Sequence, residues 1–235
     1  MTLALQDRVF IVTGGFGVLG RALACVLVER GARVALLDRA PAPSWASAPG
    51  DDAACTLALG GVDLAVDGAA PQALARVLQR WQRIDGLVNV AGGFAWQSVA
   101  EGSLETWDRL YAMNLRSAVA AAQAVVPQLS TGGRIVNVGA LAALKAGIGM
   151  GAYAASKAGV LRFTEALAEE LKDRGVTVNA VLPSIIDTPA NRVDMPGADF
   201  ARWVTPEALS RVVAFLLSDD AAAITGACLP VAGRV

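Results

Sequence analysis

Histidine is absent from this 235-residue sequence, and its absence excludes several classes of chemistry. Without an imidazole the chain cannot form a Ser-His-Asp triad, a Cys-His pair or a His-ligated metal site. Cysteine is scarce as well, because Cys25, Cys55 and Cys228 are widely spaced and form no Cys-x-x-Cys pattern. An odd number of isolated cysteines favours neither a disulfide framework nor a zinc site. We therefore expect no bound metal and a reducing, cytoplasmic location.

The sequence also lacks an excess of either charge. Its 20 Lys and Arg side chains against 21 Asp and Glu side chains leave a formal net charge of -1, so a basic surface for nucleic acid is not expected. The mean hydropathy is +0.48, but no apolar run reaches the roughly 18 residues of a membrane span. No secretory signal is recognised at the start of the sequence. These features predict a soluble protein whose partner is a small molecule rather than a nucleic acid or a membrane.

The order of the apolar segments predicts the fold class. Short β-branched and leucine-rich runs alternate with longer helical patterns, which is typical of α/β proteins with a doubly wound, Rossmann-type parallel sheet and helices on both faces. Since no linker divides the sequence, one domain over residues 1–235 is expected. The predicted strands are 8–12, 33–37, 56–59, 86–90, 134–138, 176–182 and one near residue 229. The predicted helices are 18–30, 71–81, 104–126, 153–174 and 206–217.

Two segments interrupt the alternation of strands and helices. Residues 40–50 contain three prolines and are predicted to form a surface loop. Residues 189–204 lack a regular pattern and include Met195, Phe200 and Trp203. This second segment is either a lid over a substrate pocket or a packed connection.

Glycines cluster where the first predicted strand turns into the first predicted helix. The segment from Gly15 to Gly20 fits the G-x-G-x-x-G pattern in the context that a dinucleotide site requires. Glycine permits a tight turn and a close backbone approach to a pyrophosphate, whose negative charge is favoured at a helix N-terminus. The residues of this turn predicted to bind the cofactor are Gly14, Gly15, Gly17, Leu19 and Gly20.

Two aspartates extend the predicted cofactor site. Asp38 ends the second strand, where a carboxylate can accept hydrogen bonds from the adenosine ribose and would repel a 2'-phosphate. NAD is therefore favoured over NADP, although the adjacent Arg39 could attract that phosphate and leaves NADP open. Asp63 follows the third strand and is either an acceptor for the adenine amino group or an ordinary turn residue.

Tyr153 and Lys157 form the predicted catalytic pair. They are four residues apart at the start of a helix, so both side chains emerge on one face. An ammonium beside a phenol favours the phenolate and should lower its pKa from about 10 by one to three units. Tyr153 is therefore predicted to act as a general acid or base.

With these motifs the sequence resembles the short-chain dehydrogenase/reductase family almost from end to end. The resemblance implies that Tyr153 protonates the group receiving hydride, that Lys157 binds the nicotinamide ribose, and that Asn114 holds a water in a proton relay. It also implies that Asn89 ties the central strand together. The further positions at which the resemblance implies cofactor contacts are Asn89, Ala91, Gly92, Pro183, Ile186 and Thr188.

Three positions depart from the family's pattern. The middle glycine of the turn is Gly17, where the family would have it at Val18, and Ser184 replaces a usual glycine. The largest departure is Ala140, which stands where the family has its catalytic serine. Losing one oriented hydrogen bond to developing charge costs on the order of 10² to 10³ in rate, so a substrate that needs less polarisation is expected.

The dihydropteridine reductases also lack this serine, and the sequence resembles that branch in further details. The resemblance implies an NADH-dependent reductase of a quinonoid or similarly activated C=N or C=O compound, and dihydropterin is one candidate. Phe94, Trp96 and Trp203 are expected to supply flat apolar walls beside Ala140, or else to belong to the core.

Two other functions remain open. The first is a broader carbonyl reductase or alcohol dehydrogenase in which Ser184, a water or a backbone N–H replaces the absent hydroxyl. The second is a non-catalytic dinucleotide-binding sensor or scaffold. The resemblance further implies a homodimer or homotetramer that pairs through the helices at 104–126 and 153–174.

Overall fold

Seven parallel strands form the centre of the molecule in a computed structural model that describes residues 4–44 and 52–235. Their order across the sheet is β3-β2-β1-β4-β5-β6-β7, with every neighbouring pair parallel. This confirms the predicted doubly wound α/β class. The strands are β1 Val9–Thr13, β2 Arg33–Leu37, β3 Thr56–Leu59, β4 Gly86–Asn89, β5 Arg134–Val138, β6 Thr177–Pro183 and β7 Cys228–Val231.

The helices lie between the strands in the predicted alternation. They are α1 Val18–Glu29, α2 Asp52–Cys55, α3 Ala69–Trp81, α4 Leu104–Tyr111, α5 Ser117–Val125, α6 Gly151–Leu171, α7 Pro189–Asp194 and α8 Pro206–Leu217. Short α2 and α7 were not expected from the sequence, because neither is long enough to show a helical period. Among these described residues, no helix has the length and apolarity needed to cross a membrane.

The single helix predicted at 104–126 is wrong in one respect. A π-helical turn at Ala112–Arg116 separates α4 from α5, and buried Asn114 lies inside it. Single π turns occur frequently at functional sites, because the extra residue re-aims a side chain. Residue spacing alone did not reveal this turn, since the apolar pattern continues through it.

Each face of the sheet carries its own hydrophobic core. Phe10, Val88 and Val136 point to one face, where α1 and α8 pack. Leu87 and Ile135, their neighbours in the strands, point to the other face and pack with α3, α5 and α6. Burying each such side chain contributes about 1.5 to 3 kcal/mol. Because alternate residues of a strand are buried on opposite faces of the sheet, both sets of side chains fix the register of the strands.

The strand order reverses between β1 and β4, which makes that junction the switch point where open parallel sheets bind ligands. The pairing register brings polar residues at the carboxyl ends of three neighbouring strands into one row. Thr13 of β1 pairs with Asn89 of β4, which pairs with Asn137 of β5. The segments that follow these residues therefore leave the sheet side by side.

The two irregular segments have different outcomes. Residues 45–50 of the predicted loop at 40–50 lie outside the described residues, whereas 41–43 have no regular structure, in keeping with the prediction. The segment 189–204 contains α7 and a short 3-10 turn at Phe200–Arg202. A β-bridge pairs Val204, its last residue, with Ile186, which precedes it in the chain.

Candidate active site

A large cleft opens at the carboxyl edge of the sheet, above the switch point. Its described lining comes from the glycine turn after β1, the ends of β2 to β6, and parts of α4, α6 and α7. The sequence-predicted residues in that lining are Gly14, Gly17, Leu19, Gly20, Asp38, Asp63, Ala91, Gly92, Phe94, Ala140, Tyr153, Lys157, Pro183, Ile186 and Thr188.

The glycine turn approaches its neighbours too closely for side chains. Gly14 has a φ of 63°, and a Cβ there would lie 2.9 Å from the backbone of Ala91. A Cβ on Gly15 would lie 2.7 Å from the Cβ of Leu36, so this residue packs beneath the cleft instead of lining it. The turn is therefore built from glycine because strand β4 and strand β2 press against it.

The N-terminus of α1 has the features of an anion site. Gly17 is its N-cap, makes no side-chain capping bond, and is followed by a first turn without an acidic residue. The first N–H groups of a helix have no partner within the helix, and the helix dipole adds partial positive charge there. A pyrophosphate fits this end better than it would fit a helix capped by a carboxylate.

The Asp38 carboxylate is fixed at the end of β2 by two backbone hydrogen bonds. Its Oδ2 accepts from the Phe16 N–H at 3.1 Å, and its Oδ1 accepts from the Ala40 N–H at 3.0 Å. Each oxygen keeps a further acceptor site for a ligand hydroxyl. Arg39 also lines the cleft, so the prediction that it could attract the 2'-phosphate of NADP stays open.

Asp63 makes the bond of an ordinary turn aspartate. Its Oδ1 accepts from the N–H of Ala65 at 2.9 Å. The residue also lines the cleft, so its role as an acceptor for the adenine amino group stays a prediction.

Thr13 organises the segment after β4, a role that the sequence reading did not assign. Its Oγ1 accepts hydrogen bonds from the N–H groups of Val90 and Ala91, each at 3.1 Å. Asn89 lies below and donates to Oδ1 of Asn137 at 2.9 Å, which ties β4 to β5 as predicted for it. The sequence feature that indicates this role is a residue with a hydroxyl group at the end of the first strand, next to the glycine turn.

Tyr153 and Lys157 lie on the first two turns of α6, as their spacing predicts. The Lys157 Nζ donates to the carbonyl of Val138 at 2.7 Å, at the end of β5. The Tyr153 ring meets Phe94 edge to face, with ring centroids 5.0 Å apart. Both side chains reach the cleft, so the structure brings the predicted pair together beneath an aromatic neighbour.

The expected lowering of the Tyr153 pKa is wrong for the structure as described. Burial raises the pKa of Tyr153 to about 12, because the charged phenolate would lose its hydration. Burial also lowers the pKa of Lys157 to about 8. The Lys157 ammonium is engaged by the Val138 carbonyl, so desolvation outweighs the attraction on which the sequence argument relied.

The side chain of Asn114, which lies in the π turn, is held by hydrogen bonds to two other segments. Its Oδ1 accepts from the N–H of Gly93 at 2.8 Å, and its Nδ2 donates to the Gly93 carbonyl at 3.1 Å. The same Nδ2 donates to Oγ of Ser156 at 2.9 Å, and that hydroxyl donates to the carbonyl of Tyr153 at 2.7 Å. Asn114 and Ser156 thus connect the segment after β4 to the first turn of α6.

Gly92 explains why these groups can be so close. A Cβ at this position would lie 2.7 Å from Oδ1 of Asn114 and 3.3 Å from Nζ of Lys157. The absence of a side chain therefore leaves room for both polar groups at the floor of the cleft.

Ala140 is buried and lines the cleft, so a methyl group stands where the family pattern has a hydroxyl. Ser184 also lines the cleft, but its hydroxyl donates to the carbonyl of Ala232 at 2.6 Å. That proton is already used, which disfavours the idea that Ser184 replaces the absent serine. Thr188 has an equally local bond, because its Oγ1 accepts from the N–H of Asn191 and caps α7.

Two predicted aromatic walls do not line the cleft. Trp96 is 61% exposed, and its indole N–H donates to the carbonyl of Ile148 at 2.9 Å. Trp203 is buried against Phe200, with ring centroids 4.7 Å apart. Trp203 is therefore a core residue, the second of the two alternatives predicted for it. Of the three aromatic side chains, only Phe94 lines the cleft.

Comparison with known proteins identifies the family. A family model described as short chain dehydrogenase matches residues 8–197. The chain is 32% identical to 2-(S)-hydroxypropyl-CoM dehydrogenase 3 of Xanthobacter autotrophicus, over 99% of this chain and 98% of that protein. It is 33% identical to the 3-oxoacyl-[acyl-carrier-protein] reductase FabG of Vibrio cholerae, over 97% of each. The chain therefore belongs to the short-chain dehydrogenase family.

A solved structure agrees with this assignment. A blue fluorescent protein from a metagenomic library, in complex with NADPH, superposes with a TM-score of 0.87 at 31% identity, over 98% of each chain. The chain is accordingly an oxidoreductase of a family that uses NAD or NADP, and a non-catalytic sensor is not supported. The uncapped α1 N-terminus and the glycine turn fit such a dinucleotide.

Proposed function

We propose that this enzyme is an NADH-dependent reductase of a small molecule with an activated C=O or C=N group. Quinonoid rings are the acceptor class that fits best, and a quinonoid dihydropterin is the specific candidate. A bound NADH would supply the hydride. The remaining chemistry falls to the residues of this chain that bind, orient and protonate the acceptor.

The single observation that carries the proposal is the methyl group of Ala140 in the floor of the cleft. An ordinary ketone develops alkoxide charge during reduction and gains on the order of 10² to 10³ in rate from an oriented donor. Neither Ala140 nor the bonded hydroxyl of Ser184 offers that donor. A quinonoid acceptor becomes an aromatic ring when reduced, so it depends less on such stabilisation.

Tyr153 is the proposed proton donor. With a pKa of about 12, its phenol stays protonated at neutral pH and is ready to protonate the reduced acceptor. Lys157 lies one turn further along α6 and is proposed to bind the nicotinamide ribose. Phe94, in edge contact with the phenol, is proposed as an apolar wall for a flat ring.

The preference for NADH rests on Asp38. Its carboxylate is anchored by two backbone N–H groups and cannot easily turn away from a bound ribose. A 2'-phosphate beside this negative charge would be repelled. We propose contacts from the remaining predicted residues of the cleft, including Pro183 and Ile186, toward the nicotinamide end.

The segment 189–204 is proposed to cover the acceptor. Pro189 and Met195 of this segment line the cleft. A bidentate ion pair between Arg192 and Asp187, at 2.6 and 2.8 Å, connects α7 to the strand end. Phe200 lies under the guanidinium of Arg192 at 4.9 Å, so the aromatic residues of the segment hold its shape.

We also propose that the protein pairs through α4, α5 and α6, the helices that form the segments 104–126 and 153–174 named by the resemblance. Leu104 is 81% exposed and Tyr111 is 55% exposed on α4. Such apolar side chains are expected to be covered in a symmetric dimer or tetramer. Light scattering at several protein concentrations measures this directly, and a monomer at all of them would contradict it.

A second candidate function is a general carbonyl reductase or alcohol dehydrogenase. The names of two relatives favour it, since one is a hydroxypropyl-CoM dehydrogenase and the other a 3-oxoacyl-[acyl-carrier-protein] reductase. In this case a water or a backbone N–H would replace the absent hydroxyl.

A panel of acceptors separates the two candidates. Purified enzyme is assayed with NADH and with NADPH against quinonoid dihydropterin, a quinone, a 1,2-diketone and a simple ketone. We expect kcat/KM to be highest for the quinonoid compounds with NADH. Faster reduction of the simple ketone would overturn the proposal in favour of the second candidate.

A further inference from the structure

Two basic side chains line the part of the cleft near Tyr153. Arg109 lies on α4, one turn before Met113, and Lys145 follows the 3-10 turn at Leu141–Ala143 that begins after Ala140. A Cβ on Gly93 would meet the sulfur of Met113. Gly93 precedes Phe94, whose ring meets the Tyr153 ring, so Arg109 lies one helical turn from a residue that contacts the segment carrying Phe94.

Neither cation has a partner in the part of the chain that the structure describes. Some other exposed basic residues are paired: Arg116 bonds Asp67 at 2.8 Å and Arg162 bonds Glu165 at 2.7 Å. The side chains of Arg109 and Lys145 make no ion pair and no hydrogen bond with the described residues. Both are exposed at the rim of the cleft, where a ligand can reach them without displacing a protein contact.

The surroundings of the two cations indicate what kind of ligand would use them. Phe94, Met113 and Leu141 give the same lining an apolar part. Arg39, the other unburied cation of the lining, stands next to Asp38 in the sequence. The carboxylates of the described lining are Asp38, Asp63 and Asp194, and no ion pair joins any of them to Arg109 or Lys145.

We infer that Arg109 and Lys145 form a subsite for a carboxylate carried by the substrate at a distance from its reacting carbon. This inference rests on the proposed function, since it names a further feature of the acceptor. The apolar part of the acceptor would lie along Phe94 and Met113. Its carboxylate would then reach the rim, where an arginine fork and a lysine ammonium can both bond it.

The expected effect is moderate, because both cations are exposed to water and salt. One exposed ion pair is worth at most a factor of about five in affinity, so two together should give about tenfold. The effect should also weaken at high ionic strength, because exposed charges are screened within about 10 Å at 0.1 M salt.

The test uses two acceptors that differ only at the remote end. One is a 1,2-diketone with a terminal carboxylate on an alkyl chain of four to six carbons, and the other is its carboxamide. The measured quantity is the ratio of kcat/KM for the acid to kcat/KM for the amide, with NADH saturating. We expect a ratio of about ten in the parent, about three in Lys145→Gln and Arg109→Gln, and near one in the double variant.

Matched variants make the result specific. Arg211→Gln removes an exposed cation of α8 that lies outside the cleft lining, so it should keep the parental ratio. Lys145→Arg keeps the charge and should keep most of the ratio. Raising KCl from 0.05 to about 0.5 M should lower the ratio in the parent.

The outcomes distinguish this inference from the proposed function. If the acid and the amide are reduced equally well by the parent, or if Arg211→Gln lowers the ratio as much as Lys145→Gln does, the inference is overturned and the reductase activity stands. If neither diketone is reduced although NADH binds, 1,2-diketones are excluded as acceptors, and the proposed acceptor class fails only if the quinonoid compounds of the panel are not reduced either. In that case the diketone acid is used as a ligand and not as a substrate. Its binding to the enzyme is measured, and then its inhibition of NADH oxidation with the best acceptor of the panel. Both measurements still test the carboxylate subsite.

Discussion

At the Asp38 end of the cleft, backbone atoms do most of the positioning, whereas at the Tyr153 end side chains from separate segments meet. Gly14 presses on Ala91, and Asp38 is fixed by two backbone N–H groups. At the other end Lys157 reaches to β5, while Asn114 reaches from the π turn to the segment after β4. A backbone site is specified by short local motifs, and a side-chain site depends on contacts between distant parts of the chain.

The largest effect should come from the phenol at the side-chain end. Tyr153→Phe removes the proposed proton donor and should lower kcat by about 10² or more, because general acid catalysis contributes about 10² to 10⁴. The NADH Kd should change little. Tyr111→Phe is the matched control, since it removes the other phenol of the sequence outside the cleft lining, and light scattering checks that it keeps the parent's oligomeric state. Parental kcat in Tyr153→Phe would refute this role.

The backbone end can be broken at the glycine turn. Gly14→Ala forces a Cβ to 2.9 Å from the backbone of Ala91 and should raise the NADH Kd by about tenfold or more. Gly132→Ala is the control, because Gly132 also has a positive φ, of 86°, but a Cβ there meets nothing within 4 Å. Titration of NADH fluorescence gives the Kd, and thermal melts give the shared cost of the positive φ. Equal Kd values in the two variants would contradict the importance of the contact.

The pH profile sharpens the comparison at Lys157. Its pKa is lowered to about 8 by burial, so the ammonium is present below pH 8 and is lost as the pH rises above it. Tyr153, with its pKa raised to about 12, keeps its proton over the same range. We expect kcat/KM for reduction to be level below pH 8 and to fall by up to about tenfold per pH unit above it. A level profile to pH 10 would show that the Lys157 charge is not required.

The smallest expected effect concerns cofactor choice. Asp38→Asn keeps the size of the side chain at the end of β2 and one of its oxygen atoms but removes the charge that repels a 2'-phosphate. The ratio of kcat/KM for NADPH to that for NADH should rise by about tenfold. Asp63→Asn removes a charge from another part of the same cleft lining and should leave the ratio near that of the parent. A larger rise of the NADPH-to-NADH ratio in Asp63→Asn than in Asp38→Asn would show that Asp63, and not Asp38, discriminates against the 2'-phosphate.

Most of the fold could be predicted from local patterns. The strands pair in the predicted class because buried runs such as Val9–Thr13 are apolar on both faces and need helices on each side. The π turn around Asn114 was not predicted, since the extra residue in that turn leaves the sequence pattern of a helix almost unchanged. The outward position of Trp96 was not predicted either, because its partner, the Ile148 carbonyl, lies 52 residues away.

The sequence by itself determined the class of the protein, the glycine turn and the pairing of Tyr153 with Lys157 on one helix face. These features depend on backbone geometry and on residues a few positions apart, which a linear pattern records. Only the tertiary structure decided that burial raises the pKa of Tyr153, that the Ser184 proton is bound to Ala232, and that Arg109 and Lys145 line one cleft. Those facts depend on desolvation and on contacts between segments far apart in the chain, and the spacing of residues does not encode either of them.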